Sequence, residues 1–105
     1  MSISALNTGL SGLKAYERAL DSSAHNVANT NTANFSPENV SFQESNTGGV
    51  VANISREGLA AASASGTDLN TETVKSLEYK AGFDVSAKLV KTADEVLGTL
   101  INIKA

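Results

Sequence analysis

The chain has 105 residues, 41% of them apolar, and eight Lys/Arg against eleven Asp/Glu give a net charge of −3. That length holds one domain and one modest core, and the acidic balance with singly scattered basic residues gives no general attraction to nucleic-acid phosphates or anionic lipid. With no cysteine, disulfides, thiolate metal sites and cysteine nucleophiles are excluded.

From the N-terminus the apolar residues Ile3, Leu6, Leu10, Leu13, Leu20, Ala24, Val27 and Ala28 recur at helical spacing and predict a first helix over 3–30. Leu6, Leu13, Leu20 and Val27 form an unbroken seven-residue series, the expected seam. A second series, Ile3, Leu10, Glu17 and Ala24, is interrupted by a charge. Gly9 and Gly12 lie inside this helix, where each costs about 1 kcal/mol of propensity relative to Ala. They point to close helix approach or to frayed first turns. The opening residues lack the basic segment and apolar run of a secretory leader, so none is expected. No window approaches the roughly 20 apolar residues of a membrane span.

Residues 26–34 are rich in Asn and Thr, whose side chains compete for backbone groups, and the helix is expected to end there. Ser36-Pro37 then bars helical conformation before the proline. A short β-prone hairpin is predicted over 36–55. In it Val40 and Phe42 alternate with polar neighbours, Gly48-Gly49 turns the chain, and 50–54 forms the return run. Residues 55–67 are small and weakly patterned, and read as a flexible connection.

The second predicted helix spans 70–104, with Asn70 as its cap and Glu72 in its first turn. Its stripe is Val74, Leu77, Ala81, Val85, Leu89, Val96, Leu100 and Ile103. Phe83, Val90, Leu97 and Ile101 lie off that stripe and broaden the apolar face beyond what one partner helix can cover. The fold expected is mainly α, an antiparallel hairpin or coiled coil of two long helices within one domain, 1–105. Its leftover apolar surface would pack on neighbouring copies. The candidate assembly interface is Leu6, Leu10, Leu13, Leu20, Val27, Leu89, Val90, Val96, Leu97, Leu100, Ile101 and Ile103.

Catalytic chemistry finds little to stand on. His25 is the single histidine, without the His/Cys set of a usual metal site. Asp94 and Glu95 are adjacent and diverge on a helix, which is poor geometry for a carboxylate pair. Gly48-Gly49 lacks the lysine and helix start of a phosphate-binding loop. No enzyme activity, cofactor, metal or small-molecule substrate is expected.

Two terminal stretches carry more than periodicity. Residues 4–16 (SALNTGLSGLKAY) and 20–35 (LDSSAHNVANTNTANF) combine a small-apolar helix with Asn26, Asn29, Thr32 and the Asn34-Phe35 ending. This resembles the N-terminal signature of the bacterial flagellar rod and hook proteins, in which glycine usually precedes the aromatic. Asparagine is among the residues that best tolerate positive φ, so a left-handed turn is expected at Asn34. Residues 68–74 and 85–103 resemble the family's C-terminal helix, most closely at Thr92-Ala-Asp94-Glu95-Val-Leu97. Between them the family's Gln-Arg-x-Tyr-x-x-Asn pattern is replaced by Lys80-Ala-Gly-Phe83-Asp-Val-Ser86.

The resemblance implies a structural subunit of the basal-body rod, self-assembling through its terminal helices into the shaft that transmits torque for motility. It also implies the partners: copies of itself, other rod and basal-body proteins, and the flagellar type III export apparatus, reached without a cleaved signal. The expected location is the rod that spans the periplasm. The departed 80–86 segment and the short middle keep a second reading open, an export or assembly adaptor, or a paralogue, that binds rod proteins without entering the shaft.

Overall fold

A computed structural model describes residues 2–46, 48–56 and 67–104, with backbone alone for 2, 3 and 100–104. The element order is α1 (Ser2–Ala28), β1 (Glu38–Glu44), β2 (Val50–Arg56) and α2 (Leu69–Lys104). The molecule is thus mainly helical, with a two-stranded antiparallel sheet between its helices in sequence. The connection expected over 55–67 lies almost wholly outside the described residues.

Each boundary has a local cause. Beyond Ala28 the orphan carbonyls of α1 are taken by side chains: Asn29 Nδ2 donates to the His25 carbonyl at 2.9 Å and Thr30 Oγ1 to that of Val27 at 2.7 Å. Thr32 Oγ1 then donates to Asn29 Oδ1 at 3.0 Å. Asn34 sits at φ 60°, the left-handed turn expected of it. α2 is capped by Asp68 and not by Asn70. The Asp68 carboxylate accepts from the backbone N–H of Asn70 at 3.0 Å and of Thr71 at 3.4 Å, while its carbonyl accepts from Glu72 N–H at 2.9 Å. An aspartate one residue ahead of the first helical position places its oxygen on these donors, whereas Asn70 is already helical.

The strands pair from Glu38↔Arg56 to Glu44↔Val50. Gly48 and Gly49, at φ 84° and 93°, close the turn in a conformation that residues with a Cβ rarely adopt. The hairpin lies on α1, and Ala52, nearly fully buried, is its central contact.

The helices meet along small residues, which corrects the leucine seam read from the sequence. The buried positions of α1 are Gly9, Gly12, Ala15, Ala19, Ser22, Ser23 and Asn26. Gly12, Ala15, Ala19, Ser22 and Asn26 alternate spacings of three and four, so they line one face. Those of α2 are Glu72, Tyr79, Ser86 and Ala93, every seventh residue. A Cβ on Gly9 would stand 2.7 Å from Val90 Cγ2 and 3.4 Å from the Ser86 carbonyl oxygen, and one on Gly12 would collide with Ser86 Oγ. Gly82 is covered by the Tyr16 ring. The contact partners therefore run down α2 as they run up α1. Leucines could not occupy this interface without separating the backbones. The Leu6, Leu13, Leu20 and Val27 series lies to its side, the leucines half-buried and Val27 exposed.

Candidate assembly surface

A polar cluster fixes how the three parts of the structure meet. Asn26 is buried, and its side-chain amide engages the edge of β1 as a neighbouring strand would. Oδ1 accepts from Glu38 N–H at 2.7 Å and Nδ2 donates to the Glu38 carbonyl at 2.8 Å. Nδ2 also donates to Glu72 Oε1 of α2 at 3.1 Å, and the Asn26 carbonyl accepts from Thr67 Oγ1 at 3.0 Å. Beside it Ser23 Oγ donates to the Glu72 carbonyl at 3.3 Å and shares a hydrogen bond with Ser76 Oγ at 2.8 Å. Glu72 Oε2 lies 3.9 Å from Lys75 Nζ. Buried polar groups so matched accept one register of α1 against α2, because a shift leaves them unpaired. Ser22 Oγ, also buried, has no partner among the described residues.

Further along α1, Tyr16, Phe42 and Tyr79 make an aromatic contact between helix, strand and helix, with ring centroids 5.0 Å and 5.9 Å apart. Burial raises the Tyr79 pKa above the usual tyrosine value, and the carboxylates of Glu72 and Glu78 push the same way.

Many of the large apolar side chains face outward. Val74, Leu77 and Val85 on α2 are 55%, 64% and 67% exposed, and Leu10, Val27, Leu89 and Val96 are exposed as well. The buried hydrophobic residues are, by contrast, Ala15, Ala19, Ala52, Tyr79 and Ala93. Leu20, Val27, Leu77 and Phe83 line an open groove of about 570 Å³ between the two helices, with Lys80 and Asp84 at its polar rim. Val90 and Leu97 are half-buried. The interface positions Leu100, Ile101 and Ile103 have side chains outside the described residues.

The predicted motif residues divide in two. Asn26, Asn29, Thr32, Asn34 and Phe35 build the end of α1 and its turn, where His25 stacks edge-on to Phe35 at 5.4 Å. Thr92, Asp94 and Glu95 are exposed on α2. Sequence reasoning offered close helix approach at Gly9 and Gly12 but missed the rest of the small-residue seam and the central place of Asn26. The signal for the first was present, in Gly, Ala and Ser repeating at spacings of three and four. The bond from Asn26 to Glu38 joins residues whose meeting depends on the fold.

Among the described residues no group of His, Asp and Glu could hold a metal ion, and no helix is long and apolar enough to cross a membrane. What the surface offers is shape and apolar area. The family model for the C-terminal segment of flagellar basal body rod FlgEFG proteins matches residues 60–103. No curated protein sequence matches the chain. Over that segment the chain is similar to the C-terminal part of flagellar basal body rod proteins. The proteins of that family are structural.

Proposed function

We propose that this protein is a structural subunit of the rod shaft: α1 and α2 pair as an antiparallel coiled-coil hairpin, and their exposed apolar stripes pack on neighbouring subunits. The observation that carries this reading is the inversion of the usual burial. Glycine, alanine and serine, with Asn26, Glu72 and Tyr79, make the helix interface, while Val74, Leu77, Val85, Leu89 and Val96 are exposed. Fully burying a side chain of that size contributes about 1.5–3 kcal/mol, so covering the 40–67% that these leave exposed would contribute about half of that for each. In a body of 66 × 24 × 14 Å, the exposed positions from Val74 to Val96 run for about 33 Å along α2, at a rise of about 1.5 Å per residue. In this reading the chain travels through the type III export apparatus and acts by assembly, with no catalytic step.

The test is an in-frame deletion complemented by variants. Loss of motility, with basal bodies that lack a complete rod, is expected on deletion. Leu77→Asp and Leu97→Asp should fail to restore it while keeping a native helical signature, since a charge is costly in a dehydrated interface. Motile deletion cells with complete rods would remove the shaft reading. The chain remaining soluble when intact basal bodies are purified would favour the adaptor, whose motivation is the departed 80–86 segment.

A further inference from the structure

A two-stranded sheet has two outer edges, and here side chains of α1 bond each of them twice, at different places along the strands. Glu38 gives both its backbone N–H and its carbonyl to the Asn26 amide. Val50 N–H donates to Ser11 Oγ at 3.1 Å, and the Ala52 carbonyl accepts from Arg18 Nη1 at 3.2 Å. In an antiparallel pair, residues alternate between exchanging bonds with the opposite residue and pointing both groups away from it. Those contacts therefore identify Glu38, Val40, Phe42 and Glu44 as outward-facing on β1, with the ladder carried by Asn39↔Ser55, Ser41↔Asn53 and Gln43↔Val51. Side chains of α1 thus reach β2 near its start and its middle. On β1 the cover stops at Glu38, and the outward backbone groups of Val40, Phe42 and Glu44 have no hydrogen bond among the described residues.

The protection on this open edge is confined to its ends, where Glu38 and Glu44 each carry a charge. Strand edges are normally blunted by lysine, proline or a bulge, and β1 contains none of these. The hairpin rests on α1, and α2 reaches it through the Tyr79 ring at Phe42.

We propose that two copies of this chain pair through the open edge, β1 running antiparallel to β1 of the second copy about a two-fold axis at Phe42, to give a four-stranded sheet. The edge is self-complementary in one register. With Phe42 opposite its own copy, Val40 stands across from Glu44, and every backbone group that is free on one copy meets a free group on the other. Sliding the strands so that Val40 meets Phe42 would set Glu38 directly across from Glu44. Two carboxylates would then repel, and Glu38 would have to surrender both bonds to Asn26. The chosen register keeps the Glu38 bonds to Asn26 and moves the two carboxylates from directly opposite to a diagonal. It is a closed, isologous contact and does not depend on entry into a shaft, so an adaptor would keep it.

The experiment uses the purified full chain. Sedimentation equilibrium over a concentration series is expected to show a mass rising from 10.8 kDa toward twice that value. Val40→Pro removes an outward N–H at an edge position where proline is tolerated, and should hold the mass at one chain with helical content unchanged. Because the chain has no cysteine, register is read separately. In the proposed pair Ser41 faces Gln43 of the other copy, so mixing Ser41→Cys with Gln43→Cys under mild oxidation should give a disulfide-linked pair. Either variant alone should give little. A mass of one chain at every concentration, an association unchanged by Val40→Pro, or equal cross-linking in the unmixed variants would each overturn the proposal. Motility of the deletion strain bears on the shaft reading alone, so the two can fail independently.

Discussion

Asn26 joins α1 to the edge of β1, to the buried Glu72 carboxylate and to Thr67. Replacing it by alanine strands two backbone groups of Glu38 and one carboxylate oxygen. Asn26→Ala should therefore lower stability by about 2–4 kcal/mol in urea unfolding, above the usual single hydrogen bond. Ser22 is the opposite case. Its buried hydroxyl lacks a partner among the described residues, so Ser22→Ala should raise stability by about 1 kcal/mol. Tyr79 gives a pH dependence. Its pKa is raised in the folded state by burial first and by Glu72 and Glu78 next, so the folded chain keeps a proton that the unfolded chain gives up. The stability from neutral Tyr79 is complete below the ordinary tyrosine value of about 10 and is lost as pH rises through the folded-state value. Tyr79→Phe should flatten this alkaline loss, measured as melting temperature from about pH 8 to 11.

At the scale of elements, the same substitution has opposite signs at two glycines of α2. Alanine exceeds glycine in helix propensity by about 1 kcal/mol, and Gly98 faces open space, so Gly98→Ala should be stabilising by about that amount. Gly82 lies under the Tyr16 ring, which itself contacts Phe42. There overpacking of about 1–3 kcal/mol outweighs the propensity gain, and Gly82→Ala should lower the thermal midpoint. This close contact gives Gly82 a physical role within the segment that departs from the family pattern. The helix start provides a second contrast: Asp68→Ala should remove about 1 kcal/mol of capping energy, while Asn70→Ala, whose side chain caps nothing, should leave stability nearly unchanged. Helix and strand existence was legible from spacing and turn residues, because those signals are local. The cap was misplaced by two residues because Asp68 and Asn70 are both good cap formers, and the choice depends on where the helical backbone begins.

For the molecule as a whole, small residues let two long helices approach closely and leave the larger apolar side chains as surface. With so small a buried apolar core among the described residues, an isolated chain should unfold at modest denaturant concentration, and under the proposed shaft role co-assembly with neighbouring subunits should raise its midpoint, as any ligand specific to the native state does.

The sequence by itself determined the two helices, the turn at Asn34, the strand pair and the resemblance to rod proteins, since each rests on neighbours a few residues apart or on motif identity. Only the tertiary structure decided which face of each helix lies inside. A heptad of leucines and a heptad of alanine, serine and glycine compete for the same seam in α1. Periodicity scores the larger side chains more strongly, yet close packing at Gly9, Gly12 and Gly82 admits the smaller ones. The meeting of Asn26 with Glu38 and Glu72 and the open edge of β1 were likewise beyond the sequence, because both arise from residues brought together by the pairing of distant segments.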